Sequence, residues 1–220
     1  MDGPDLLRAA LLVAFAYLAG SVPIGVLVSR VTGGPDLRTI GSGRTGGTNA
    51  LRALGRARAA VVVVGDVLKG ALPILAARAV GAGPAVEVAC GLGAVAGATW
   101  SVFLGFHGGR GVGTGVGTML IIQPIAVFLA APVFVVVILL TRYVSLGSLL
   151  ASAAMAGLVF AWWAAAAESV SVAYPIYATI GAAVIWLAHA DNIGRLLHGT
   201  ERKFDLGLLA GRDSSGSGST

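Results

Sequence analysis

The sequence predicts an all-α integral membrane protein with seven transmembrane helices, and two features of its composition predict this fold class. Hydrophobic residues make up 56% of the 220 residues, whereas charged residues make up only 11%. A soluble domain carries roughly 25% charged residues, so this chain cannot cover a water-facing surface. The apolar residues are also gathered into runs of about 20, which is the length of helix that crosses a bilayer.

Seven apolar runs are candidate spans, and we expect them to form a single polytopic domain over residues 1–205. The runs cover residues 6–29, 59–80, 84–104, 111–122, 124–141, 145–167 and 173–190. Ser21, Pro23 and Gly25 predict a kink in the first run, which we expect to be retained because no basic signal-peptide region precedes it. The fourth run is short, and Gln123-Pro124 after it fits either a turn between two spans or a kink in one longer span. Residues 206–220 are expected to form a flexible, Ser/Gly-rich tail.

The distribution of basic residues distinguishes these two topologies. With seven spans and an outside N-terminus, 12 of the 15 lysines and arginines fall in inside segments, Arg8 and Arg78 fall outside, and Lys69 lies within a span. Merging the fourth and fifth runs would separate Arg142 from the arginines of segment 30–58. The positive-inside rule therefore favours seven spans, a cytoplasmic C-terminus and a functional face toward the cytoplasm.

Charge and cysteine content exclude several classes of partner. The net charge of +5 does not indicate a nucleic-acid-binding protein, because the arginines flank hydrophobic runs and do not cover a soluble face. Cys90 is the single cysteine, which excludes an intramolecular disulfide and a multi-cysteine metal site. We expect the lipid bilayer as a partner, and no metal, cofactor or nucleic acid. The oligomeric state is left open.

Two glycine-rich segments carry the pattern of phosphate sites. The first is Gly41-Ser42-Gly43-Arg44-Thr45-Gly46-Gly47-Thr48-Asn49, followed by Arg52. Such a loop can turn its backbone N–H groups inward around an anion, and arginine adds a forked donor suited to phosphate. The second is Gly105-Phe106-His107-Gly108-Gly109-Arg110-Gly111-Val112-Gly113-Thr114-Gly115-Val116-Gly117, which opens a hydrophobic run, as an anion-binding helix N-terminus would. A flexible linker and close helix packing are the structural alternatives.

Two further groups of polar residues lie in or beside the apolar runs. If the last helix continues, His189, Asn192 and Arg195 share one face, and a histidine at the membrane boundary is suited to proton transfer. Asp66 and Lys69 lie inside the second run, where an ionisable residue is a functional candidate. Lys69 fits a phosphate contact and a purely structural pair with Asp66 equally well.

In this order, these residues resemble the bacterial acyl-phosphate:glycerol-3-phosphate acyltransferase family. The resemblance covers about residues 15 to 204. The matching text comprises Gly20-Ser21-x-Pro23-x-Gly25, the loop from Gly41 to Asn49 with Arg52, Asp66-x-x-Lys69-Gly70, Phe103-Leu104-Gly105-Phe106-x-Gly108-Gly109-Arg110-Gly111-Val112, and His189-x-x-Asn192-Ile193-x-Arg195-Leu196-x-x-Gly199-x-Glu201-x-Lys203.

The resemblance implies a metal-free enzyme that transfers a fatty acyl group from acyl phosphate to the 1-hydroxyl of glycerol 3-phosphate. The products would be lysophosphatidic acid and phosphate. His189 and Asn192 would orient the attacking hydroxyl, with His189 or a substrate phosphate receiving the proton. The substrate-binding residues would be Ser42, Gly43, Thr48, Asn49, Arg52, Lys69, Gly108, Gly109, Arg110, Gly111, Arg195 and Glu201.

Several positions depart from the family pattern. Arg44 and Gly47 stand in place of Asn and Ala, Ala98 and Ser101 in place of His and Pro, Arg110 in place of Lys, and Ala190 in place of a frequent Arg. A catalytically weak relative is therefore one alternative. A carrier or channel for phosphorylated solutes is another, although a carrier would be expected to show two related halves, and the sequence has no internal repeat.

Overall fold

The computed structural model describes residues 3–210, and its regular elements in that range are helices. One short 3₁₀ turn, Val102–Leu104, precedes the second glycine-rich segment. The α-helices are α1 (Gly3–Ser21), α2 (Ile24–Val31), α3 (Gly47–Leu54), α4 (Arg56–Ala79), α5 (Pro84–Thr99), α6 (Val112–Ile122), α7 (Pro124–Thr141), α8 (Val144–Ala165), α9 (Ala173–Ala188), α10 (Ala190–Leu197) and α11 (Gly207–Ala210).

Five of these helices, α1, α4, α5 with the following 3₁₀ turn, α7 and α8, are long and apolar enough to cross a membrane. Helices α9 and α10 add a sixth candidate if they count as one span, bent by 63° at His189. The prediction of an all-helical membrane protein is confirmed, whereas seven uninterrupted spans are not found. The first run breaks between α1 and α2 at Pro23, as its sequence predicts, because proline has no N–H for the helix ladder.

The predicted fourth span is the 11-residue helix α6. At 1.5 Å per residue it is about 17 Å long, roughly half the thickness of a bilayer core. Helix α6 runs in the same direction as the second half of α4. Gly113, near its start, lies beside Asp66, and the carbonyl oxygen of Ile121, near its end, accepts a hydrogen bond from Arg78. Gln123 separates it from α7, so Gln123-Pro124 is a break between two helices.

Glycines allow α6 and α4 to pack backbone against backbone. A Cβ atom at Gly117 would collide with the carbonyl oxygen of Val67, and one at Gly70 would collide with that of Thr114. This contact confirms that the glycines of the second segment serve close helix packing.

The predicted inside segments meet at one end of the helix bundle. Arg44 donates to the carbonyl oxygen of Gly108 at 3.4 Å, Arg110 pairs with Asp191, and the backbone N–H of Phe204 donates to the carbonyl oxygen of Arg142 at 2.6 Å. We call this the loop end.

The opposite end of the bundle holds the two arginines predicted to lie outside. Arg8 donates to the carbonyl oxygen of Val80, and Arg78 pairs with Glu87 at 2.9 Å. Part of the predicted flexible tail, Gly207–Ala210, forms a single helical turn, and residues 211–220 lie outside the described range.

Candidate functional site

A cavity of about 880 Å³ opens at the loop end, between α3, α4, α7 and the two glycine-rich segments. This volume lies within the range of pockets that hold small molecules. Twelve of the fourteen predicted site residues line it: Ser42, Thr48, Asn49, Arg52, Lys69, Gly109, Arg110, Gly111, His189, Asn192, Arg195 and Glu201. Gly43 and Gly108 are not among the lining residues.

One side of this cavity is apolar. Val63, Val64 and Val67 line it from α4, and Phe134 and Ile138 line it from α7. Valine, phenylalanine and isoleucine offer no hydrogen bond, so this side fits a hydrocarbon group. The cavity is therefore amphipathic. Polar residues of the loops line one side, and apolar side chains of α4 and α7 line the other.

Asn49 holds the first glycine-rich loop in shape. Its Nδ2 atom lies 2.9 Å from the carbonyl oxygen of Leu37 and 2.8 Å from that of Arg44, and its Oδ1 atom accepts from the N–H of Ser42 at 3.2 Å. Gly41 adopts a φ of +60°, and a Cβ atom there would collide with the same Oδ1. The buried amide thus holds the loop backbone in place, and a direct contact of Asn49 with phosphate stays a prediction.

The first glycine-rich loop leads into the N-terminus of α3. No side chain caps this helix, and Gly46, Gly47 and Thr48 line the cavity. The N–H groups of a first helical turn have no partner within their helix, so they are available to an anion. Thr48 adds a hydroxyl group beside them.

The second glycine-rich segment presents the N-terminus of α6 to the same cavity. Gly111, at a φ of +72°, precedes this helix, and no side chain caps it. The N–H groups of Gly108 and Gly109 are not free, because they donate to the carbonyl oxygens of Thr99 and Ala98 at 3.0 and 2.8 Å. These two glycines fix the segment on α5, and the helix start beyond them faces the cavity. Two uncapped helix N-termini therefore share one cavity.

The cavity carries an excess of positive charge. Among residues 3–210, two carboxylates line it, Asp66 and Glu201. Seven cationic side chains line it: Arg44, Arg52, Arg56, Lys69, Arg110, Arg195 and Arg202.

Four of the seven cations, including Arg44 and Arg52, have no carboxylate of the described residues within ion-pair distance. Burial, together with the neighbouring charge of Arg202, lowers the pKa of Arg52. Such an excess of cations favours binding of more than one anionic group.

Asp66 and Lys69 form an ion pair in the cavity lining. The Lys69 Nζ atom lies 2.7 Å from Asp66 Oδ1 and also donates to the carbonyl oxygen of Val22 at 3.2 Å. Both side chains are largely buried. This geometry matches the structural pair with Asp66 that the sequence offered as one role for Lys69. A phosphate contact by Lys69 stays a prediction.

His189 lies buried at the bend between α9 and α10. Its Nδ1 atom lies 2.8 Å from the carbonyl oxygen of Ile185. Since a carbonyl oxygen can only accept, Nδ1 carries the proton and Nε2 is left as an acceptor in the neutral ring. The predicted shared face of His189 and Asn192 required a straight last helix, but the chain bends between α9 and α10. Both residues nevertheless line the cavity.

Asn192 is oriented by Glu201. Its Nδ2 atom donates to Glu201 Oε1 at 2.6 Å, and its buried Oδ1 atom has no hydrogen-bond partner among residues 3–210. A buried polar atom without a partner is costly, so this oxygen fits a donor supplied by a ligand. Asn192 Oδ1 and His189 Nε2 are two acceptors suited to a substrate hydroxyl.

Glu201 joins three elements beneath the cavity. Besides Asn192, its carboxylate accepts from Ser145 at 2.9 Å and from Arg195 Nε at 2.8 Å. Burial would raise the pKa of Glu201, but the hydrogen bonds from Asn192, Ser145 and Arg195 outweigh it and hold the pKa below its ordinary value. Glu201 therefore acts as an ionised anchor for Asn192 and Arg195.

Two polar residues at this site have no role assigned from the sequence. Ser145 lies at the start of a predicted span, and its partner Glu201 is 56 residues away, so no local pattern marks it. Asp191 stands beside the predicted catalytic residues but was given no role, and it accepts from both Arg110 and Arg195. Among residues 3–210, no group of three or more His, Cys, Asp or Glu side chains could hold a metal ion.

Comparison with known proteins relates the sequence to one family. The family model described as glycerol-3-phosphate acyltransferase matches residues 10–199. The chain belongs to the glycerol-3-phosphate acyltransferase family. It is accordingly a multi-pass integral membrane protein, and the recognition of the family from the sequence is confirmed.

Curated relatives in this family cover nearly the whole chain. A glycerol-3-phosphate acyltransferase of Rubrobacter xylanophilus is 44% identical over 194 residues, which are 88% of this chain and 94% of that protein. One of Thermus thermophilus is 46% identical over 192 residues, covering 86% of this chain and 91% of the relative. The family membership favours the acyltransferase interpretation over the carrier.

Two crystal structures of PlsY (YgiH), an integral membrane glycerol 3-phosphate acyltransferase, share the fold. The glycerol 3-phosphate form has a TM-score of 0.83 at 34% identity and covers 93% of this chain and 100% of its own. The lysophosphatidic acid form has a TM-score of 0.81 at 34% identity and covers 92% of this chain and 99% of its own.

Three departures from the family pattern, Arg44, Ala98 and Ser101, make contacts at the loop end. Ala98 lines the cavity and contacts the backbone of Gly108, whose carbonyl oxygen also accepts from Arg44. Ser101 is buried and donates to the carbonyl oxygen of Ser21 at 2.6 Å. In this family member, Arg44 and Ser101 thus take part in fixing the loop end.

Proposed function

We propose that this protein transfers a fatty acyl group from acyl phosphate to the 1-hydroxyl of glycerol 3-phosphate. The hydroxyl oxygen forms a bond to the acyl carbonyl carbon. The bond between that carbon and the phosphate oxygen then breaks, and phosphate leaves with the electron pair. Lysophosphatidic acid and phosphate are the products, which makes this a step of phospholipid biosynthesis.

One observation carries the proposal: two uncapped helix N-termini and an excess of cations share a cavity with an apolar side. A phosphate group carries close to two negative charges, so the excess suits the phosphates of donor and acceptor together. Arg52 and the start of α3 would hold one phosphate, and Arg110 and the start of α6 the other. Ser42, Thr48 and Arg195 supply further donors.

The apolar side of the cavity accounts for the fatty acyl chain. Each CH₂ group buried against residues such as Phe134 and Val67 contributes about 0.8 kcal/mol. A fatty chain is thereby held at bilayer depth while its phosphate reaches the loop end. Binding energy from the tail thus positions the reactive carbonyl between the two phosphate sites.

His189 and Asn192 would act on the attacking hydroxyl. His189 Nε2 and Asn192 Oδ1 are acceptors for the hydroxyl groups of glycerol 3-phosphate, and His189 Nε2 or a substrate phosphate receives the proton. Acyl phosphate is a mixed anhydride with a good leaving group, so orientation and charge neutralisation supply most of the catalysis.

The donor in this proposal is acyl phosphate and not acyl-CoA or acyl carrier protein. Coenzyme A would add a pyrophosphate, a ribose phosphate and an adenine, all of which need a sizeable pocket outside the membrane. The segment of 24 residues between α2 and α4 is largely used by Asn49 and α3 to build one side of the cavity. An acyl phosphate asks only for one phosphate site and the apolar side.

For the topology we propose seven crossings, with the N-terminus outside and the loop end in the cytoplasm of a bacterial plasma membrane. The fourth crossing combines α6 with residues 105–111 before it. Irregular backbone is tolerated at membrane depth where it lines a polar cavity. The arginines at the loop end support a cytoplasmic orientation.

The test is an assay of the purified full-length protein with glycerol 3-phosphate and palmitoyl phosphate, measuring lysophosphatidic acid and released phosphate. We expect both products in equal amounts, and none when glycerol replaces glycerol 3-phosphate. Phosphate release without lysophosphatidic acid would contradict the proposal, since it would indicate hydrolysis. Uptake of intact glycerol 3-phosphate by proteoliposomes in the absence of a donor would favour a carrier.

A further inference from the structure

Asp191 pairs with two arginines, Arg110 of the second glycine-rich segment and Arg195 of α10. Its Oδ2 atom lies 3.0 Å from Arg110 Nη2 and 3.2 Å from Arg195 Nη2. Arg195 in turn pairs with Glu201 at 2.8 Å, so the ion pairs run from the glycine-rich segment to the C-terminal segment. Asp191 itself is not a lining residue of the cavity, whereas both arginines are.

The contact with Asp191 leaves part of the Arg110 guanidinium free for a ligand. Its side chain is 16% exposed, and its buried Nε atom has no hydrogen-bond partner among residues 3–210. Guanidinium donors lie in one rigid plane, so a bond from Nη2 to Asp191 also fixes the direction of Nε. A phosphate oxygen is the acceptor that the proposed substrates would bring to this atom.

We propose that Asp191 is a positioning residue that makes arginine, and not lysine, the effective cation at position 110. Arginine has several donors and can bind Asp191 and phosphate at once. A lysine has one compact ammonium group, for which the carboxylate of Asp191 would compete with phosphate. The inference rests on the proposed function, since it takes phosphate as the ligand.

The test is a double-variant cycle on the full-length protein, with glycerol 3-phosphate binding measured by calorimetry. The variants are Arg110→Lys, Asp191→Ala and the two combined. With Asp191 present, we expect Arg110→Lys to weaken binding roughly tenfold, the equivalent of one charge-assisted hydrogen bond. In the Asp191→Ala background, where the ammonium group has no competing carboxylate, the same change should weaken binding less than about threefold.

A second readout separates positioning from a purely structural role. Asp191→Ala should raise the KM for glycerol 3-phosphate roughly tenfold while kcat changes less than about threefold. Asp191→Asn, which keeps one acceptor for Arg110, should restore most of the affinity. The matched control is Asp36→Ala, because Asp36 forms an exposed pair with Arg38 at the loop end, outside the cavity.

Two results would overturn the inference alone. Additive effects of the two substitutions, or wild-type binding by Asp191→Ala, would show that Asp191 does not position Arg110, while the acyl transfer of the wild type would still stand. A wild-type protein that fails to bind glycerol 3-phosphate would instead overturn the proposed function, and the inference with it. Equal melting temperatures of the variants would confirm that binding differences do not arise from unfolding.

Discussion

The Nδ1 atom of His189 donates to the carbonyl oxygen of Ile185, one turn earlier in α9, over 2.8 Å. This bond uses the ring proton of the neutral imidazole and leaves Nε2 as an acceptor. The backbone of a rigid helix thereby fixes both the tautomer and the direction of the ring. In the proposed mechanism, Nε2 of His189 is the atom that accepts a proton from the substrate hydroxyl.

We therefore expect His189→Ala to lower kcat far more than it changes folding or substrate KM. Loss of a general base commonly costs about 10²–10⁴-fold. Steady-state acyl transfer measures the effect, with His198→Ala as a control because His198 is exposed and does not line the cavity. A wild-type kcat in His189→Ala would remove this residue from the mechanism. A small loss without a histidine-like pH inflection would indicate that substrate phosphate takes the proton.

Arg52→Ala and Arg110→Ala should each raise the KM for an anionic substrate. A charge-assisted hydrogen bond from arginine to phosphate contributes about 1.5–3 kcal/mol, which corresponds to roughly 10- to 150-fold. The matched control is Arg58→Ala. Arg58 is an exposed arginine near the N-terminus of α4, and it lies outside the cavity. If both variants kept wild-type kinetics with normal melting curves, the arginines would serve only topology.

Glu201→Gln should lower the melting temperature near neutral pH, because it weakens the bonds to Asn192, Ser145 and Arg195. We expect a loss of roughly 3–10 °C from hydrogen bonds to a charged group. Thermal unfolding in detergent measures it, with Glu168→Gln as the control because Glu168 is exposed.

The effect of Glu201→Gln on the melting temperature should also depend on pH. The pKa of Glu201 is held below its ordinary value, so its stabilising contribution is present above the pKa of the unfolded chain. That contribution is lost as the pH falls through the folded pKa. The gap in melting temperature between wild type and Glu201→Gln should therefore shrink below about pH 4.3. A gap that widened on acidification would contradict the assignment.

Gly117→Ala should destabilise the contact between α6 and α4, because the added Cβ atom would meet the carbonyl oxygen of Val67. Overpacking of this kind costs about 1–3 kcal/mol, or roughly 2–10 °C in melting temperature. Gly157→Ala is the control, since a Cβ atom at Gly157 meets nothing within 4 Å and alanine favours the helix. Equal melting temperatures for the two variants would mean that α6 can shift away from α4 without cost.

The sequence predicted most of the spans because hydrophobic length is a strong local signal, and it identified Pro23 as a break. It could not predict how the short helix α6 is accommodated, because its place depends on the backbone contact with α4. The bend at His189 also has no local signal such as proline. It is evident only from the packing of α10 at the loop end.

The site residues were predictable where they cluster along the chain, as at Arg52, Arg110 and Asn192. Roles that depend on distant partners were not. The contacts by which Asn49 holds the backbone of its own loop have no signal in the local sequence. Ser145 gains its role only through Glu201, far away in sequence.

The identity of the acyl donor tests the central claim most directly. Purified protein with glycerol 3-phosphate should be given palmitoyl phosphate or palmitoyl-CoA at equal concentrations, with lysophosphatidic acid measured by mass spectrometry. In the proposed function the donor needs only one phosphate site and the apolar side of the cavity, so palmitoyl phosphate should be turned over and palmitoyl-CoA should not. Comparable or faster turnover of the CoA ester would contradict the account.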